Sequence, residues 1–259
     1  MTRPGRNQRC SCGSGRKYKN CCLLRPIEVV YPSDKKRYAS ETAVGWLMEH
    51  HRPAVHNALR ADYFGLLNEE GRANLVDISD NVEEAIHSNA KEWLLAQAQL
   101  TLRDGRKVRA SELVLGRGGP LLTRDHRSYL KTLAASPFAL FEVRDSRAND
   151  GILLKHLLAE WVRDTWMPNS KYPGLLPGDV VGTRTIFMDG WHLAGAYLFK
   201  PRLGAIVRDA IFRLLRDPYL AGSKWYSPRA NDLLSRVVIG CWLRAVTTPP
   251  RAVQRASPR

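Results

Sequence analysis

The chain has 259 residues, 44% of them apolar, enough for one large or two small domains with a sizeable core. Its formal charge of +15 favours anionic partners such as nucleic acid, the ribosome, acidic proteins or anionic lipid surfaces. No apolar run is long enough to span a membrane, and the polar, basic residues after Met1 are unlike a secretory leader, so the expected location is the cytoplasm.

Cys10, Cys12, Cys21 and Cys22 place four thiols within thirteen residues. Zinc takes four such ligands at tetrahedral corners about 2.3 Å away. Gly13-Ser14-Gly15 supplies the tight reversal between the two ligand pairs, because glycine tolerates positive φ. Arg3, Arg6, Arg9, Arg16, Lys17, Lys19 and Arg25 surround the thiols, with no acid before Glu28, and basic neighbours favour thiolate over thiol. A disulfide framework would need an oxidising compartment, and a bridge between adjacent Cys21 and Cys22 would be strained. Iron is the rival metal. Four cysteine ligands close the site, which points to structure or recognition, since catalytic zinc keeps one position open.

The pattern Cys-x-Cys-x-Ser-Gly followed by Cys-Cys, preceded by Gly5-Arg6-Asn7 and containing Lys17-Tyr18-Lys19, resembles the SEC-C motif. That motif forms the zinc-binding tail of the translocation ATPase SecA and is scattered across many poorly characterised bacterial proteins. The resemblance implies zinc ligands at Cys10, Cys12, Cys21 and Cys22, with Cys22 where SecA often has His. Gln8-Arg9 stands where the motif usually has Asp-Pro, and Ser11 where it has Pro. These departures touch no ligand and bear on the partner surface.

Pro26 and Pro32 bracket a connector that reads as a linker or a single docked strand. Ser40 is a candidate N-cap for a helix carrying Val44, Leu47, Met48 and Val55, kinked or ended by Pro53. A second helix is predicted from Ser79-Asp80 to Leu102, with Val82, Ile86, Trp93, Leu94 and Leu100 near one face and Asp104-Gly105 ending it. A short helix follows at Ser111 to Leu115, and Thr123 caps another through Ala135 with Tyr129, Leu130 and Leu133 inward.

After Pro137 the period becomes alternating. Strands are predicted from Phe138, over Ile152 to Leu158, Glu160 to Met167, Val180 to Met188, and Trp191 to Phe199. Leu176-Pro177-Gly178-Asp179 and the hairpin signal Asp189-Gly190 mark turns. Five short strands suggest a small barrel of the SH3-like or OB-like sort. Leu203 to Leu215 then shows an amphipathic stripe, and Ser227-Pro228 opens a last helix with Leu233, Val237, Cys241 and Trp242 or Leu243 on its buried face. The order of landmarks from about Glu92 to Phe199 also looks like the body of bacterial SEC-C domain proteins of unassigned function, which implies architecture more than activity.

No phosphate loop, dinucleotide glycine fingerprint, HExxH or GxSxG occurs. Glu69-Glu70 and Glu83-Glu84 read as solvated faces, His50, His51 and His56 as exposed helix-end residues, and Gly116 to Gly119 as a loop. Asp189 is explained by its turn, and Arg184 and His192 by an outward strand face. Trp161, Trp166, Trp191, Tyr197 and Phe199 fill the expected barrel core, base stacking being the alternative. Cys241 reads as a small buried hydrophobe.

The sequence therefore reads as an α+β protein: a zinc knuckle (1–26), a helical region (33–135), a small five-stranded β-barrel (136–200), C-terminal helices (201–248) and a disordered basic tail (249–259). The expected role is non-enzymatic binding, with zinc ordering Arg9, Arg16, Lys17, Tyr18 and Lys19 into a basic patch for an acidic protein or the ribosome. One alternative is a nucleic-acid binder using barrel and knuckle. The other is an enzyme with a pocket between barrel and helices, favoured by a deep cleft lined by His126, His156 or His192 with carboxylates.

Overall fold

Apolar residues at helical spacing occupy residues 34–135 and 201–247, alternation at strand spacing fills the stretch between, and the helices fold back over one face of the sheet. The computed structural model describes residues 7–8, 17, 27–28, 34–147, 151–159, 165–167, 175–187, 191–217, 220 and 224–248. The connector contains a docked strand: β1 (Ile27–Glu28) pairs in parallel with β6 (Thr165–Met167).

Helix α1 (Asp34–Ala58) begins before Ser40, whose buried hydroxyl donates to Glu92 instead of capping. Proline lacks an amide hydrogen and crowds the preceding turn. Accordingly α1 contains Pro53 and breaks its helical geometry at His51 (φ −133°, ψ 23°). A π turn (Leu59–Tyr63) and a 3-10 turn (Phe64–Leu66) lead to α2 (Glu69–Ala73), which Asn68 caps by accepting from the Gly71 amide at 2.9 Å.

Helix α3 (Asp80–Gln97) stops short of the predicted end at Leu102. Ala98 turns extended, and β2 (Gln99–Thr101) pairs antiparallel with β3 (Lys107–Arg109). Asp104-Gly105 thus belongs to a hairpin turn. Alternation in Gln-Leu-Thr and Lys-Val-Arg, with only Leu100 fully buried, outweighs the helical spacing of Leu100 from Trp93. Helix α4 (Ala110–Leu115) follows, then α5 (Arg124–Ala135), where Thr123 accepts from the His126 amide and Tyr129, Leu130 and Leu133 are buried as expected.

Among the described residues the strands do not close into the expected SH3-like or OB-like barrel. Strands β4 (Phe138–Arg147), β5 (Gly151–His156), β6, β7 (Val180–Phe187) and β8 (Trp191–Phe199) join β1 in an open six-stranded sheet of order β1-β6-β5-β4-β7-β8. All pairings except β1 with β6 are antiparallel. A closed barrel hides one apolar face, whereas this sheet has two. Phe138, Leu140, Val180, Ile186 and Phe199 face the helices. Ala139, Phe141, Val143, Ile152, Leu154 and Val181 form a second core on the other face. Bulges between Val143 and Asp145 and opposite Gly182 to Arg184 curve the sheet, so β6 and β8 approach without pairing. Gly195 takes φ +67° at the second bulge, a conformation favouring glycine.

Helices α6 (Pro201–Leu215) and α7 (Pro228–Thr247) cover the first face. Val207 and Ile211 are buried in α6, while Ile206 is exposed. The buried face of α7 runs through Leu234, Val238, Ile239, Trp242 and Leu243, one residue out of phase with the predicted Leu233, Val237 and Cys241, which are half-buried. Contact with both sheet and α3 widens the stripe beyond a single spacing. No helix among the described residues is long and apolar enough to cross a membrane.

Two polar staples fix the helices to the sheet. Asn231 accepts from the Phe138 amide (2.9 Å) and donates to the Phe138 carbonyl (2.7 Å). Asn89 on α3 does the same at Ala196 (2.8 Å each), beside the bulge of β8. Between them α7 presses onto β7, where a Cβ at Gly182 would lie 2.5 Å from Val238 Cγ1 and 2.9 Å from Phe138 Cζ. Overpacking of this kind costs about 1–3 kcal/mol. Gly182→Ala is expected to lower stability by that amount in urea unfolding followed by far-UV circular dichroism.

Candidate functional site

A cavity of about 1130 Å³ opens where the β2–β3 hairpin, the end of α5, β7 and the first half of α7 meet. Strand register builds its polar wall. Gln99 pairs with Arg109 and Thr101 with Lys107, so these four side chains share one face of the hairpin, opposite Leu100 and Val108. All four line the cavity. Trp225, packed on its other side against the second core, contributes an aromatic wall with Tyr226.

Arg184 also lines the cavity and is only 6% exposed. It sits on the helix-facing side of β7, its guanidinium 5.6 Å from the Phe138 ring centroid. Nη1 donates to the Ser136 carbonyl at 2.6 Å and Nη2 to Gln97 Oε1. Gln97 is oriented in turn, since its Nε2 donates to Ser235 Oγ at 2.9 Å. Burial draws the Arg184 pKa down to about 10, which leaves it charged near neutrality. No carboxylate among the described residues forms an ion pair with it. The expectation of an outward Arg184 is therefore corrected: the period of two places it on the face covered by helices.

His156 is 5% exposed, edge-on to Phe141 (4.9 Å) and 4.8 Å from Trp225. Its Nδ1 accepts from the Leu158 amide at 3.0 Å, leaving Nε2–H as the ring's donor. Burial pulls its pKa to about 4, so the ring is neutral. Asp62 and Asp232, the carboxylates lining the cavity, both meet Arg236, at 3.7 and 3.1 Å.

Deeper in the helical layer, Glu92 Oε1 accepts from Ser40 Oγ and Tyr129 OH, both at 3.3 Å, tying α1, α3 and α5 together. Burial raises its pKa to about 7, against the lowering effect of these hydrogen bonds and of Arg184.

Cys10, Cys12, Cys21 and Cys22, with Arg9, Arg16, Tyr18 and Lys19, lie outside the described residues, while Lys17 is described and exposed. Asp189, Trp161 and the side chains of Trp166, Trp191 and His192 also lie outside them. Comparison with family models matches residues 6–24 to the SEC-C motif. The chain carries a SEC-C motif. No curated protein and no solved structure matches the chain. The SEC-C motif is a domain often associated with zinc, and the matched segment contains all four cysteines, a donor set whose chemistry suits a closed tetrahedral ion. No group of three or more His, Cys, Asp or Glu that could hold a metal occurs among the described residues.

Outside the SEC-C segment, Tyr197 and Phe199 fill the core. His50 stacks on Trp46 (4.8 Å). Sequence reasoning missed Trp225, Asn231 and Glu92. Glu92 had one readable signal: it follows Asn89 by three positions on the helix face that also carries Ile86 and Trp93.

The Glu92 shift carries a sign. A carboxyl whose pKa rises from 4.5 to about 7 on folding stabilises the fold fully below 4.5, and that contribution disappears as pH rises through 7. His156, shifted down, acts oppositely, its contribution disappearing as pH falls from 6.5 to about 4. Glu92→Gln is expected to gain about 1–3 kcal/mol relative to wild type between pH 5 and pH 8, read from urea midpoints. A constant difference across that range would contradict the assignment.

Proposed function

We propose that this protein is a non-enzymatic binding protein whose SEC-C segment, ordered by zinc, presents a basic surface to an acidic protein partner, with the ribosome as the second anionic surface of the same kind. The observation that carries this reading is the match of residues 6–24, which encloses Cys10, Cys12, Cys21 and Cys22. When bound, zinc supplies structure: it folds a segment too short to fold by itself, worth on the order of 10 kcal/mol. The four thiolates fill the coordination shell, so no position remains for an activated water. Arg9, Arg16, Lys17 and Lys19 provide the cationic contacts beside Tyr18, and the arginines can pair bidentately with carboxylates.

The body supports a binding role. Among the described residues, Asp62 and Asp232 of the cavity are engaged by Arg236, and the Nδ1 of neutral His156 is held by a backbone amide. The nucleic-acid alternative has less support, since Tyr197 and Phe199, the described aromatics proposed for base stacking, are buried.

A pull-down with the intact chain should retain an acidic partner that survives nuclease treatment and is lost in Cys21→Ser/Cys22→Ser. Retention by the double variant would contradict the proposal, and loss of all partners on nuclease treatment would contradict its acidic-protein partner.

A further inference from the structure

The cavity differs from an ordinary packing gap in three respects. Its volume of about 1130 Å³ is slightly above the range of small-molecule sites, which run to about 1,000 Å³. Its charge is unbalanced in one direction: four cations, Lys107, Arg109, Arg184 and Arg236, face two carboxylates, Asp62 and Asp232, both of which meet Arg236, while Lys107, Arg109 and Arg184 have no ion-pair partner among the described residues. Its walls are chemically sorted, with the hairpin face polar and cationic and the segment before α7 aromatic.

Arg184 gives this arrangement a direction. A guanidinium offers five N–H donors, and here two nitrogens meet neutral acceptors, Ser136 O and Gln97 Oε1. Glu92 and Asp232 act on this charge without ion-pair contact, and a buried cation with no carboxylate in direct contact can still gain from an anion placed against it. Lys107 and Arg109 are exposed members of the hairpin, so the cavity leads from a cationic surface to a buried cation. Such a gradient draws in anions and repels cations. Trp225 is half-buried, with the His156 ring at 4.8 Å and the Tyr226 ring at 5.4 Å, and presents an aromatic surface to the cavity. Gln99, Thr101 and Thr185 add neutral donors and acceptors of the sort that read the edge of a heteroaromatic ring.

We propose that this cavity binds a planar aromatic anion of mononucleotide size, its ring against Trp225 and its anionic group between Arg184 and the Lys107–Arg109 face. A purely apolar ligand would cover the polar hairpin groups without pairing them, and a cation would meet the excess positive charge. This site is separate from the SEC-C segment and stands or falls independently of the zinc reading.

The test is isothermal titration of the intact chain with adenosine monophosphate, indole-3-acetate and adenosine, alongside quenching of tryptophan fluorescence. One equivalent of an anionic probe should bind saturably, with uncharged adenosine at least tenfold weaker. Tighter binding of the nucleotide or of the carboxylate identifies phosphate or carboxylate as the anionic group. Lys107→Ala/Arg109→Ala, at exposed positions that leave the core untouched, should weaken binding at least tenfold with an unchanged circular dichroism spectrum. Trp225→Leu should weaken it similarly and reduce the quenching, and Cys21→Ser/Cys22→Ser should leave it unaltered. The proposal is overturned if neither anionic probe saturates at millimolar concentration, if adenosine binds as well as the anions, or if the folded hairpin variant binds unchanged. It is also overturned if only a single-stranded oligonucleotide binds.

Discussion

Helix α7 lies against the sheet at a distance that a glycine at position 182 permits, and the rest of the described body is arranged around that approach. Val238 and Phe138 fill the space a side chain there would take. Asn231, two turns earlier on the same helix, supplies both a donor and an acceptor to the backbone of Phe138. A buried backbone amide and carbonyl left without partners would cost about 1–3 kcal/mol each. The asparagine thus sets the register of helix on sheet and satisfies the first residue of β4. Trp242 then meets Tyr197 edge-on at 5.2 Å, carrying the contact from β4 across to β8.

The cavity is a consequence of the same geometry. Toward the C-terminal end of α7 the helix is buried among α3, the sheet and the turn at residues 64–66. At its N-terminal end Asn231, Asp232 and Arg236 line open space beside the β2–β3 hairpin. Arg184 bridges the two environments. Its side chain joins β7, the end of α5 and Gln97 of α3, so a cation stands where three elements could otherwise separate. Glu92 performs a related task one layer away, drawing Ser40 and Tyr129 together with a carboxyl that burial pushes toward the neutral form.

Much of this was legible where a single spacing dominates. Tyr129, Leu130 and Leu133 behind the Thr123 cap, and the turn at Leu176 to Asp179, follow from local chemistry alone, and Pro53 and the His51 distortion follow from the missing amide hydrogen. Where two surfaces compete for one element, local pattern fails. The sheet is apolar on both faces, so short alternating strands that looked like a barrel form an open, curved layer with helices on one side. Leu100 fits both a helix continued from Trp93 and a strand between Gln99 and Thr101, and hairpin pairing with Val108 decides it. Arg184 was unreadable as an interior residue because its partners, Ser136 O and Gln97, come from elements 48 and 87 positions away. In the SEC-C segment the situation is reversed, because its meaning lies in four cysteines and their spacing.

Under the proposed function the segment around the four cysteines gains order from a metal, whereas the described body is held by helix-on-sheet packing. The claim at its centre is that Cys10, Cys12, Cys21 and Cys22 act together as ligands of one ion. Elemental analysis of protein purified under reducing conditions tests it most directly. The account predicts one zinc per chain, lost in Cys21→Ser/Cys22→Ser while the melting of the helical body is unchanged. Protein that carries no stoichiometric zinc and has four freely titratable thiols at its N-terminus would contradict it.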